Sequence, residues 1–315
     1  MIVSLVICTK DRPFYLEKTL NNVLGAKNLL KQIIIIDASE SSKTKEIVEY
    51  ITSKTTAQII YRSCSPGLPK QKNIGIEIAL AANKDIDAIT FLDDDIIVRP
   101  DYFMQLQTFI IANPNWTAFT GVSLSNKRPK TSFFRRCFFL DSKKDASILK
   151  SGICTPIYSD TELQITEWLP GASMIINPHV LKSEKFNESI KIFFEDTEMS
   201  IRLNKYGPLQ ICHKMIYEHN EAQIGHESKR NITAFSDGAR WVLSKNRDNQ
   251  IQEFAVLWSI FGSSLKALAE IVVIRKNQYK KEVFIGHLIF ITRLILKRNV
   301  VHLPDNNQIR QKTHE

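Results

Sequence analysis

The sequence has 315 residues, 43% of them hydrophobic, with 42 Lys and Arg against 33 Asp and Glu and a formal charge of +9. Such a length and apolar content exclude a disordered chain and provide for one large core, or a core with an appendage. Cys8, Cys64, Cys137, Cys154 and Cys212 are odd in number and widely scattered, which excludes a disulfide framework or paired metal-binding spacing and points to a reducing, cytoplasmic compartment.

The apolar run Ile2 to Cys8 has no basic leader or small-residue cleavage site, and Lys10, Asp11 and Arg12 follow at once; it reads as a strand rather than a signal peptide. Helical spacing follows over Tyr15 to Leu24, then a strand Gln32 to Ile36, a helix Thr44 to Ile51, a strand Gln58 to Tyr61, a helix Gln71 to Ala82 and a strand Ala88 to Leu92. Continuous apolar strands alternating with helices predict an α/β fold with a buried, largely parallel sheet and helices on both faces. Ligands of such sheets lie beyond the carboxyl ends of the strands. Three polar clusters fall there: Thr9 to Arg12, Asp37 to Glu40, and Asp93 to Asp95. Each alone reads equally well as a helix cap; together they predict one crevice.

Clustered carboxylates at a strand tip suit a hard divalent cation, which can stabilise charge developing on a diphosphate leaving group. Acidic strand-end pairs also serve polymerases and phosphatases. Farther on, Asn126 to Asp160 is basic and aromatic, with Lys127, Arg128, Lys130, Phe133, Phe134, Arg135, Arg136, Phe138 and Phe139. It reads as an insertion over the sheet, either a surface hairpin with part of its aromatic face in the core or an acceptor-binding element.

Beyond Trp241 the pattern is helical, with Phe254 to Ile274 and Val283 to Leu296 flanking the basic loop Arg275 to Lys281. Lys266 and Glu270 interrupt the first stretch and Arg293 shortens the second, so neither reads as a clean membrane span. They read either as in-plane amphipathic attachment to an anionic leaflet or as a helical pair packed on the main domain or another subunit. The tail Asp305 to Glu315 reads as frayed. The division expected is a catalytic domain over 1–240, with a nucleotide-binding half 1–97 and an acceptor-side half 98–240, and a helical extension over 241–315. The positive charge suits an anionic partner, but no zinc-finger spacing or aromatic RNA-binding signature occurs, so nucleic acid is not the partner expected.

Val3 to Pro13 resembles the opening strand and nucleotide loop of the family 2 glycosyltransferases with the nucleotide-diphospho-sugar (GT-A) fold. Ile33 to Asp37 resembles their second strand, Pro66 to Gly75 their glycine-to-asparagine segment, Asp93 to Asp95 their DxD motif, Trp168 to Ser173 a pocket-shaping segment, and Phe193 to Leu203 the acidic segment at a helix start. The resemblance implies donor contacts from Thr9, Asp11, Arg12, Asp37, Lys72, Asn73, Asp93, Asp94, Gly171 and Ala172. Lys72 stands where the family usually has Arg, keeping the charge without the planar fork. It implies Mn²⁺ or Mg²⁺ on Asp95, with His219 of Tyr217-Glu218-His219 as a further ligand and His226 as its alternative. Asp196 is the implied general base and Glu195 the second choice; without the upstream motifs the pair reads as acids beside a helix dipole. Arg240 reads as a phosphate contact or a surface residue.

The implied fold is α/β, a GT-A nucleotide-diphospho-sugar transferase fold with a mostly parallel central sheet flanked by helices and a C-terminal helical extension that associates with membrane or with another subunit. The implied activity is inverting transfer of a sugar from a nucleotide diphosphate, UDP preferred because Asp37 with Asp11 suits a pyrimidine, to a hydroxyl of a glycan or lipid-linked acceptor. Its implied setting is bacterial surface-polysaccharide assembly at the inner face of the cell membrane. Two other readings stay open: a sugar-phosphate nucleotidyltransferase, whose glycine-rich first loop Thr9 to Pro13 lacks, and a non-catalytic sugar-nucleotide- or glycan-binding module.

Overall fold

The computed structural model describes residues 1–25, 30–82, 85–126, 132–190, 193–220, 229–246, 250–273 and 278–300. Its first part is the repeating unit expected: β1 (Val3–Thr9), α1 (Pro13–Leu24), β2 (Leu30–Asp37), α2 (Lys43–Ser53), β3 (Gln58–Ser63), α3 (Leu68–Ala82) and β4 (Ala88–Asp93). Pro13 opens α1, where its fixed φ is already helical and no N–H is needed. Leu16, Thr19, Leu20 and Val23 recur at helical spacing and form the buried face. Ile33 and Ile35 of β2 pack with α1 and α2, while Ile34 and Ile36 pack with Ile76 and Ala79 of α3, so the strand is buried on both faces and needs its unbroken apolar run. Gly75 lets α3 close on β1; a Cβ there would lie 2.4 Å from a Val6 methyl.

The chain continues through β5 (Ile96–Val98), α4 (Tyr102–Ala112), β6 (Ala118–Ser123), α5 (Phe133–Cys137), β7 (Ile165–Thr166), β8 (Ser173–Ile176), α6 (Pro178–Leu181), α7 (Glu195–Leu203), β9 (Leu209–His219), α8 (Lys229–Ser244), α9 (Glu253–Val273) and α10 (Gln278–Ile295). Among the described residues the strands form one sheet in the order β3-β2-β1-β4-β8-β6-β9-β5, with β7 on β9. It is parallel from β3 to β4, as the alternating units require, and mixed beyond, because β8 runs antiparallel to both β4 and β6. Leu92 pairs with Ser173. The reversed entry of β8 therefore sets Gly171 and Ala172 against the carboxyl end of β4, a placement that a purely parallel sheet would not give.

The helical extension differs from expectation in three ways. The boundary drawn between 240 and 241 falls inside α8, whose buried face, from Ala234 to Leu243, joins Val256, Ile260 and Phe290 of α9 and α10 in a separate apolar cluster. Arg240, expected at phosphate or on the surface, is only 5% exposed. It pairs with Asp237 at 2.6 Å and donates to the Ser151 carbonyl at 3.1 Å and to Ser259 Oγ at 2.8 Å, a buried cation satisfied by its neighbours. Asp237 also meets His287 Nδ1 at 2.6 Å, tying α8 to α10. By length and composition α9 does qualify as a membrane span, with a mean hydropathy of 1.6 over its best window. Lys266 and Glu270 do not prevent this, being paired at 3.8 Å, with Lys280 of α10 a further 3.0 Å partner of Glu270.

The basic and aromatic segment also departs from its reading as a cover over the sheet. Its described part, from Ser132 onward, packs beneath α9: Phe138 stacks on Trp258 at 4.8 Å, and a Cβ on Gly262 would strike the Phe138 ring. Lys127, Arg128, Lys130, His226, Arg275, Lys276, Asn277 and the tail from Asp305 lie outside the described residues.

Candidate active site

Asp93 ends β4, and Asp94 and Asp95 turn the chain into β5. The Asp94 carboxylate faces inward, accepting from Thr9 Oγ1 at 2.6 Å and from Arg12 Nη1 at 3.2 Å. Burial pushes its pKa up to about 6, against the Thr9 hydrogen bond and the Arg12 charge, which lower it. Beneath it, the Thr19 hydroxyl lies 2.9 Å from the Asp94 carbonyl and 3.0 Å from that of Ile96, bracing the turn on α1. Asn22 clasps both backbone groups of Val98 just beyond. Thus Thr9, Arg12 and Asp94, all expected at the donor, form one hydrogen-bonded unit.

Asp95 Oδ2 lies 3.7 Å from the same Arg12 Nη1. Its Oδ1 lies 3.1 Å from His219 Nε2 at the end of β9, where Ile96 pairs with His219. Ser125 fixes that strand end, donating to the His219 carbonyl at 3.1 Å and accepting its N–H at 2.9 Å. Asp93, Asp95 and His219 can each present one ligand atom, all within 4.8 Å of one another. Two carboxylates and an imidazole fit Mn²⁺, and Mg²⁺ less closely because it favours oxygen. Burial raises the pKa of Asp93, as does the Asp95 charge, while Lys72 and His219 lower it.

A second acidic pair opens α7. Phe193 and Phe194 precede it at φ of 61° and 67°, two consecutive bulky residues in the left-handed region. Such strain persists where surrounding packing enforces it, and both rings lie against the helical-extension cluster. Glu195 is buried and paired with buried Lys72 at 3.0 Å. Burial alone would lower the Lys72 ammonium, but Glu195, Asp93 and Asp196 outweigh it and hold the charge in place. Asp196 accepts from the backbone N–H of Gly171 at 3.0 Å and of Thr197 at 2.7 Å. Burial and the Glu195 charge raise Asp196 to about 6, with Lys72 and these two N–H groups pulling the other way.

Gly171 and Ala172 join the two acidic groups. The Asp93 N–H donates to the Ala172 carbonyl at 3.4 Å, while the adjacent Gly171 N–H holds Asp196. A Cβ on Gly171 would lie 3.1 Å from Lys72 Nζ and 3.4 Å from Glu195 Oε1, so the glycine keeps this junction close.

Four of the residues expected at the donor also have partners within the chain. Lys72 is committed to Glu195. Asp37, 1% exposed, accepts from the Ser39 N–H at 2.8 Å, Ser39 Oγ at 2.5 Å and the Tyr61 hydroxyl at 2.7 Å. Asp11, at a left-handed φ of 56°, donates its N–H to Ser39 Oγ at 2.7 Å and accepts from the Glu40 N–H at 3.2 Å, joining the first two strand-end loops. Asn73 accepts from the Phe186 N–H at 2.8 Å and donates to the Phe186 carbonyl and to Glu188, both at 2.9 Å, anchoring the segment ahead of α7. Lys72, Asp37 and Asn73 are buried polar groups satisfied by the nearest backbone or opposite charge, whereas Asp11 is exposed. Sequence reasoning missed Thr19, Ser39, Tyr61, Gln71 and Ser125. Thr19 and Gln71 carry a signal, a polar residue on a helix face otherwise turned inward; Gln71 donates to the Thr9 and Ile36 carbonyls at 3.0 Å and 2.9 Å.

This sheet, with an acidic strand tip facing an acidic helix start, is the GT-A fold. Residues 4–155, just under half of the chain, match the model of glycosyl transferase family 2. Among solved structures, the mannosyltransferase PcManGT from Pyrobaculum calidifontis, in complex with GDP-Man and Mn²⁺, is similar at a TM-score of 0.58 and 11% identity over 94% of this chain and 87% of that one. GalNAc-T7 with UDP, GalNAc and Mn²⁺ gives 0.56 at 13% identity, over 95% and 58%. S. aureus TarS 1-349 gives 0.51 at 14% identity, over 95% and 92%. No curated protein matches the chain by sequence.

Proposed function

We propose that this chain is an inverting glycosyltransferase that moves a sugar from a nucleoside diphosphate, UDP preferred, to a hydroxyl of a glycan or lipid-linked acceptor in bacterial surface-polysaccharide synthesis. The observation that carries the reading is the Gly171-Ala172 junction, which binds a metal-fitted cluster on one side and a carboxylate suited to proton transfer on the other. The family match over residues 4–155 supports it, as do structural neighbours described with UDP, UDP-GlcNAc or GDP-Man and with Mn²⁺.

Asp95 and His219, with Asp93 beside them, would hold Mn²⁺ or Mg²⁺, which when bound supplies positive charge to the departing diphosphate. Thr9 and Arg12 hold Asp94, and Arg12 also reaches Asp95 at 3.7 Å, so this cation stands beside the metal-fitted cluster. Asp196 takes the acceptor proton as the new glycosidic bond forms and the bond to the diphosphate breaks. Lys72 neutralises Glu195 and thereby limits the rise in Asp196, leaving it ionised near neutrality. The loop of Asp11, Ser39 and Asp37 serves the nucleotide as a preformed wall.

A thermal-shift screen of UDP-, GDP- and dTDP-sugars with and without Mn²⁺ tests the reading, because a ligand that binds the folded state raises its melting temperature. One nucleotide class should stabilise the protein in a Mn²⁺-dependent way. No shift with any nucleotide sugar would overturn the proposal.

A further inference from the structure

The outer surface of the helical extension has no role in the sugar-transfer reading, and it exposes a run of large apolar side chains. In α9, Phe254, Phe261, Leu265, Leu268 and Val272 are exposed and spaced by 7, 4, 3 and 4 positions. At 3.6 residues per turn these five share a single stripe. The exposure is large: 68% for Phe254, 50% for Phe261 and 73% for Val272. In α10, Ile285, Leu288 and Ile295 form a second exposed stripe at helical spacing.

Aromatic rings extend the first stripe sideways. Trp258 lies 6.0 Å from Phe254 and 5.6 Å from Phe261, Phe138 stacks on Trp258 at 4.8 Å, and Phe134 lies 4.7 Å from Phe138. Exposed Phe133 of α5 stands next in sequence. The Trp258 indole N–H donates to the Cys137 carbonyl at 2.9 Å, locking the two segments together. Large contiguous apolar exposure of this kind marks an interaction surface.

Charge identifies the partner. The described stretches that meet here, 132–150, 253–273 and 278–298, hold eleven Lys and Arg against five Asp and Glu. The remainder of the chain has 31 against 28, so six of the nine net positive charges fall in these stretches. We propose that this face seats the protein on an anionic bilayer, with α9 lying in the headgroup plane, its aromatic stripe inserted and the surrounding cations on lipid phosphates. The α9 helix does not cross, because Val256 and Ile260 on its opposite side are buried in the cluster shared with α8 and α10. A second copy is the poorer occupant, since a self-complementary interface here would press two cationic faces together. The same segment leads to the acidic helix, where Cys154 Sγ lies 3.2 Å from Thr197 Oγ1, so the seat and the proton-accepting side share one connection.

The test is flotation of the full-length protein with vesicles of phosphatidylcholine alone or mixed with phosphatidylglycerol, at low and high salt. It needs no donor sugar, so its result is independent of the transferase reading. Wild type should float with the anionic vesicles only and release at high salt. The F261S/L265S pair and, separately, F133S should each bind about tenfold more weakly or worse, and F133S should do so with its melting temperature unchanged because Phe133 is 77% exposed. Failure to bind anionic vesicles at low salt would overturn the proposal. So would equal binding to neutral vesicles, undiminished binding by both variants, or a solution dimer that F261S/L265S converts to monomer.

Discussion

The two acidic groups of the site differ in how their charge is balanced. At the tip of β4, Arg12 lies 3.2 Å from Asp94 and 3.7 Å from Asp95, while Asp93, Asp95 and His219 form a cluster fitted to a metal ion. At the start of α7 the cation is resident: Lys72 is buried on Glu195, and Asp196 is held by backbone N–H groups. The first group is fitted to recruit charge and the second to hold its own constant while a proton moves. Carboxylates only a short way apart thus acquire separate tasks from their neighbours rather than from their own chemistry.

The comparison breaks most sharply at Asp196. Asp196→Asn keeps both backbone hydrogen-bond acceptances through its carbonyl oxygen only in part, but it cannot take a proton, so transfer should fall by about 10²–10⁴ while the donor still binds. Steady-state rates with a donor-binding titration check this, and loss of donor binding alone would remove the base role. Next in size is Lys72→Met. Removing one partner of a buried ion pair leaves Glu195 uncompensated and should cost about 3–5 kcal/mol in chemical denaturation. The wild-type rate should rise with pH through about 6 as Asp196 loses its proton, and in Lys72→Met this acidic limb should move to higher pH, because the charge that opposes the rise is gone. An unmoved limb would assign it to another group.

The nucleotide-side half was readable because β1, β2 and β4 are unbroken apolar runs whose ends carry the polar clusters, and local pattern suffices for such strands. The acidic tip was readable as a metal-seeking group, and Asp196 only through resemblance. Partner choice was not readable. Lys72 meets Glu195 across 123 positions and Asn73 meets Phe186 across 113, and no local pattern encodes pairings that the closed fold alone creates. The α9 stripe was hidden for a related reason: Lys266 and Glu270 look disruptive in sequence, yet they pair with each other on a side of the helix away from it. Arg240 shows the converse, a charge that looked external and is buried by partners on three elements of chain.

The division of labour is tested most directly by titrating Mn²⁺ into wild type, Asp95→Ala and Asp196→Asn in the presence of a nucleoside diphosphate, following water-proton relaxation. The account predicts that wild type and Asp196→Asn bind the ion with similar affinity and that Asp95→Ala binds it at least tenfold more weakly, a loss of about 1.4 kcal/mol or more. Equal binding by all three proteins, or loss in Asp196→Asn instead, would contradict it.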